Sequence, residues 1–68
     1  MNKNAIGAKL RELRGKRTLE AVASEIGIST SALGMYENGQ RVPKDDIKVK
    51  LAKYYDVSID IFFAHEDH

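Results

Sequence analysis

Sixty-eight residues, 43% hydrophobic and 31% charged, describe one small globular domain rather than a disordered or fibrous chain. There is no cysteine, which excludes disulfides and thiolate chemistry, and no apolar run nears the roughly 20 residues of a membrane span. The net charge of +1 is unevenly spread, with eight Lys/Arg against four Glu as far as Lys44, then three Lys against six Asp/Glu.

A basic front half and an acidic back half suggest one positive face for an anionic partner, with ordinary surface scatter as the plain alternative. No signal-peptide pattern opens the chain. A core this thin typically contributes only about 3–5 kcal/mol and leaves little room for a cofactor and a substrate together. Neither an enzyme nor a bound cofactor is therefore expected.

In chain order, Ile6, Leu10 and Leu13 recur at helical spacing among Lys9, Arg11, Glu12 and Arg14, and Gly15 ends this first helix. Thr18 is a good N-cap for a second helix with the stripe Leu19, Val22, Ala23 and Ile26, which Gly27 closes as a left-handed residue. Ser29 then caps a third helix over residues 30 to about 38, burying Leu33 and Tyr36, with Gly39 just beyond. Residues 40–44 read as a loop containing Pro43. Asp45 or Asp46 is expected to cap a fourth helix that turns Ile47, Leu51 and Tyr54 or Tyr55 inward. After a break at Asp56, Ser58 caps a brief fifth helix carrying Ile61 and Phe62. Nothing alternates at period two, so the expected class is all-α with five helices. Residues 1–63 form the domain, and residues 64–68 read as a polar tail. His65 and His68 in that tail, beside Glu66 and Asp67, lack a rigid scaffold and are not taken as metal ligands.

Residues 18–38 hold the arrangement with functional content. Two short helices are separated only by Gly27, Ile28 and Ser29, and so tight a glycine turn sets them at a steep angle. Ala23, four residues before the glycine, lets the second helix approach the third. On the third helix Leu33 and Tyr36 face inward with Glu37 beside them, so Thr30, Ser31, Gly34, Met35 and Asn38 face out. That outward face carries no charge, whereas a merely solvated face would be rich in Lys and Glu.

The chain resembles the phage-repressor and Cro type of helix-turn-helix DNA-binding domain over residues 6–63. The matching residues are Leu10-Arg11-Glu12-Leu13-Arg14, Val22-Ala23, Ile26-Gly27-Ile28-Ser29, Leu33, Tyr36-Glu37-Asn38-Gly39, Arg41, Pro43, Leu51-Ala52 and Val57-Ser58. The sequence departs from the family in three places. Leu19 stands where glutamine often touches a phosphate, Gly34 where serine is frequent, and the Arg14-to-Thr18 connection is shorter. The resemblance implies a compact five-helix domain that inserts its third helix into the major groove of double-stranded DNA, usually as a dimer on a two-fold operator. In that frame Thr30, Ser31, Gly34 and Met35 are the base-reading residues. Thr18, Ser29, Asn38, Arg41, Lys44 and Arg17 are the expected phosphate contacts, within a cluster that also holds Lys9, Arg11 and Lys16. The resemblance also pairs Arg14 with Glu37, which would otherwise be an ordinary solvated glutamate.

The expected function is a sequence-specific transcriptional regulator, a repressor above all, cytoplasmic and associated with bacterial or phage-type DNA. The alternative is a protein-interaction module, antitoxin-like or anti-repressor-like, on the same fold, its patch centred on Met35 and Tyr36. A regulatory partner protein fits either reading. Dimer contacts are expected from Ile59, Phe62 and Phe63, since two adjacent phenylalanines cannot both enter one thin core, and from Val42.

Overall fold

The structure, a computed structural model, describes residues 3–63. It is built from α1 (Lys3–Arg14), α2 (Leu19–Ile26), α3 (Thr30–Glu37), α4 (Asp45–Tyr55) and α5 (Asp60–Phe63), with no strand among the described residues. Local chemistry sets most boundaries. The Thr18 hydroxyl accepts from the Ala21 N–H and the Ser29 hydroxyl from the Ala32 N–H, both at 3.0 Å, so each helix of the central pair starts on a side-chain cap. Gly27 adopts φ 88°, and the N–H groups of Gly27 and Ile28 both return to the Ala23 carbonyl at 2.9 and 3.0 Å. Satisfying the end of α2 this way is what permits α3 to start at once.

The core gathers Ile6 and Leu10 of α1, Val22, Ala23 and Ile26 of α2, Leu33 and Tyr36 of α3, Leu51 and Ala52 of α4, and Phe62 of α5. Gly7 lets α1 lie directly on the end of α3. A Cβ built there would overlap the Glu37 carbonyl oxygen and stand 2.6 Å from that of Tyr36. No periodicity marks that residue, because a glycine among good helix formers looks like a defect until its neighbour is known.

Three expectations are corrected. The N-cap of α4 is Lys44, without a side-chain cap bond, while Asp45 and Asp46 sit in the first turn, where their charges favour the positive end of the helix dipole. The inward face of α4 is Lys48, Leu51 and Ala52, whereas Ile47, Tyr54 and Tyr55 pack at the rim, half-buried. Ala52 is small enough to admit a neighbouring element, and Tyr54 keeps its hydroxyl at the surface, on Glu25. Phe62 is 0% exposed and belongs to the core, so it offers nothing to a partner. The tail at residues 64–68, its two histidines and the Phe63 side chain lie outside the described residues.

The rim of α4 carries one unsatisfied group. The Tyr55 hydroxyl is enclosed and finds no hydrogen-bond partner among the described residues. Burial first, and then the charge of Glu37, push its pKa up to about 12. Tyr55→Phe should therefore stabilise the domain by about 1 kcal/mol near neutrality, since it removes an unpaid desolvation and keeps the ring. A raised folded-state pKa means that the neutral phenol's contribution is complete below the ordinary pKa of 10.0 and is lost as pH climbs towards 12. Urea unfolding at pH 7 and pH 11 should accordingly show the variant's advantage widening at the higher pH.

Candidate nucleic-acid interface

Helix α2, the turn over residues 27–29 and helix α3 form a helix-turn-helix whose two N-termini are both capped and exposed. The cap bonds use Thr18 and Ser29 as acceptors, which leaves each hydroxyl proton free to donate outward. The first N–H groups of α2 and α3 likewise have no partner within their helices. Each start is thus a small cluster of donors that an anionic oxygen can meet.

Along α3 the side chains divide cleanly. Leu33, Tyr36 and Glu37 are buried, Thr30, Ser31 and Asn38 are exposed, and Gly34 and Met35 are half-buried at the outer surface. The outward face therefore has hydroxyls at one end, an apolar middle and an amide at the other, and no charge anywhere. Tyr36 is only 7% exposed, which removes half of the protein-binding patch considered above and leaves Met35 alone. Such a face presents hydrogen-bonding and methyl-contacting groups of the kinds that distinguish base edges.

Charge lies instead in the chain segments flanking the α2–α3 pair and at the end of α3. Arg41 and Lys44 are exposed in the loop after α3, and Lys16 and Arg17 are exposed before α2. Arg11 of α1 reaches across to the end of α3, its Nη2 donating to the Asn38 Oδ1 at 2.9 Å. Asn38 keeps its amide protons free, so the pair presents donors from two helices at one place. This contact was not legible in the sequence, since 27 residues separate the two.

Arg14 and Glu37 meet as a two-bond pair, Nε to Oε2 at 2.8 Å and Nη2 to Oε1 at 3.0 Å. The Arg14 Nη1 also donates to the Arg17 carbonyl. These bonds to the carboxylate hold the Arg14 pKa above its ordinary value. The Glu37 side chain is only 3% exposed, so this carboxylate does not confront an approaching phosphate. Its part is to clamp α1 and the following loop to the end of α3.

Arg17 has a setting that the sequence did not disclose. Its guanidinium lies 5.4 Å from the Tyr54 ring centre and 5.7 Å from that of Tyr55, the two rings meeting edge to face at 5.0 Å. The Tyr54 hydroxyl in turn donates to Glu25 Oε2 at 3.0 Å. The guanidinium is held by the rings and by a hydrogen bond to Tyr54, and its remaining N–H groups can still donate. Contact with Tyr54 raises the Arg17 pKa, so the charge is held firmly. Thr18, Ser29, Asn38, Arg41, Lys44 and Arg17 are all exposed, but Arg17 is tied to the rings of α4 whereas Arg41 and Lys44 lie in the loop beyond α3.

Residues 8–62 match the helix-turn-helix family. The sequence is 43% identical over 61 residues to YobD, an uncharacterised HTH-type transcriptional regulator of Bacillus subtilis (strain 168), covering 87% of this chain and 54% of the relative. It is also 43% identical over 54 residues to RstR, the cryptic phage CTXphi transcriptional repressor of Vibrio cholerae, covering 76% of this chain and 49% of the relative. The chain thus spans about half the length of these curated relatives. No solved structure matches it.

Proposed function

The chain belongs to the helix-turn-helix family, and on that premise we propose that it is a sequence-specific DNA-binding transcriptional regulator acting as a repressor. The observation that carries this reading is the uncharged outer face of α3, with Arg11 bonded to the Asn38 side chain at its end and the exposed Arg41 and Lys44 in the loop that follows. In the proposed complex α3 enters the major groove, Thr30, Ser31, Gly34 and Met35 meet base edges, and the surrounding donors grip phosphates. Thr18 and Ser29 hold phosphates through their free hydroxyl protons and the adjacent N–H groups. Asn38, Arg41, Lys44 and Arg17 supply the longer contacts. The protein is not an enzyme in this account. It works in the cytoplasm, and no described helix is long and apolar enough to cross a membrane.

We further propose that the chain binds as a homodimer on a two-fold site, because one helix this short buries little surface on DNA. With Phe62 inside the core, the remaining contact candidates are Ile59, Phe63 and Val42, the last 47% exposed. Ile59 lines a groove of about 420 Å³ with Val49, Ala52, Lys53, Asp56 and Val57.

The test separates readers from holders. Substituting Ser31 or Met35 with alanine should alter base preference by about 1–3 kcal/mol at one or two positions of each half-site. Arg41→Ala should instead weaken binding to all sequences alike and lower the salt slope by about one unit. Specificity profiles at two salt concentrations distinguish the two behaviours. An Arg41 variant that switches base preference would show that the wrong face has been assigned.

A further inference from the structure

Of the five glycines, four have evident structural reasons. Gly15, Gly27 and Gly39 have positive φ, and Gly7 is pressed against the carbonyls that end α3. Gly34 has neither reason. It lies inside α3 with ordinary helical dihedrals, and an added Cβ would touch only the Leu19 Cδ1, at a comfortable 4.0 Å. Nothing within the protein asks for glycine there, although glycine weakens a helix interior by about 1 kcal/mol relative to alanine.

The surroundings of this position show what does ask for it. Leu19 and Met35 are both half-buried; Leu19 packs against the core and brings its Cδ1 to 4.0 Å from the Gly34 Cβ position, and Met35 follows Gly34 on the outward-facing stretch of α3. No charged side chain projects from this part of α3, and the Gly34 carbonyl is already used by the Asn38 N–H at 2.9 Å. The spot therefore has close access and an apolar lining, with the Thr30 and Ser31 hydroxyls one turn before it. Gly34 itself offers a polar base edge nothing to bond, its carbonyl being taken. The apolar group that a major groove presents is the C5-methyl of thymine.

Building on the DNA-reading function proposed above, we infer that Gly34, flanked by Leu19 and Met35, is a seat for a thymine methyl. It fixes one base pair of each half-site by shape rather than by hydrogen bonding. Leu19 thereby acts in specificity although it belongs to α2, and the missing side chain at Gly34 is what lets the base approach.

The experiment uses the whole chain and a duplex that it has selected from random sequence. Each thymine of the half-site is replaced in turn by deoxyuridine, which removes the methyl alone. One position should lose roughly four-fold in affinity, the worth of one buried methyl-sized group. Gly34→Ala should raise the melting midpoint by about 3–6 °C, weaken binding to the thymine duplex about ten-fold, and abolish the deoxyuridine penalty. Unchanged affinity at every deoxyuridine, or a Gly34→Ala variant that binds like its parent, would overturn the inference while leaving DNA binding intact. A parent chain that enriches no duplex would instead overturn the underlying function, so the two failures are distinct. Should the variant fail to fold, the deoxyuridine series on the parent chain still decides.

Discussion

Gly7→Ala should cost at least about 3 kcal/mol, enough to leave little of so small a domain folded at growth temperature. Helix propensity alone predicts the opposite sign, a gain of about 1 kcal/mol for alanine in a helix interior. The structure reverses this because the new methyl would meet backbone, the carbonyl oxygens of Glu37 and Tyr36, and not a side chain that can swing away. Relief would require α1 to lift from α3, which would separate Ile6 and Leu10 from Leu33 and Tyr36 and stretch the Arg14–Glu37 pair. Circular dichroism melting should show the midpoint falling by more than about 10 °C. A variant that melts at or above the parent would mean that the close approach of the two helices is wrong.

Arg14→Ala should be nearly as severe, by about 3 kcal/mol, since it strands a carboxylate that is 3% exposed and breaks two bonds at once. The loss of the Arg14 bond to the Arg17 carbonyl would also loosen the loop that delivers Thr18 to its cap position. Replacing both partners, Arg14→Met with Glu37→Leu, should recover much of the lost stability, because an apolar pair carries no desolvation cost. Chemical denaturation of the two single variants, the double variant and the parent closes a cycle that isolates the pair. If Arg14→Ala unfolds at the parent's midpoint, the pair does not tie the helices together.

What was legible in the sequence follows from the range of the interactions. Thr18, Gly27 and Ser29 act within four residues along the chain, so the capped helix-turn-helix could be read from spacing alone. The uncharged outer face of α3 was legible for the same reason, since a helix period sorts residues without reference to their neighbours. Gly7, the Arg11–Asn38 contact and the seating of Arg17 on Tyr54 and Tyr55 depend on which helices meet, and no local pattern records that. Phe62 misled for a related reason. Two adjacent phenylalanines say that one must leave the core but not which, and the packing of α5 takes Phe62 inward. On α4 the apolar residues Ile47, Tyr54 and Tyr55 outline a stripe, but the buried face lies towards Lys48 and Ala52, where small size and a long methylene stem fit better than bulk.

The most direct test of the account is selection of duplexes from a random pool by the purified chain, with the winners titrated across a range of salt. Enrichment of a two-fold motif is expected, with half-site centres roughly 10–10.5 base pairs apart. Affinity should fall steeply as salt rises, and base preferences should move when Ser31 and Met35 are changed together. A pool that returns no preferred sequence, or a preference untouched by that double change, would contradict the claim that the outer face of α3 reads DNA.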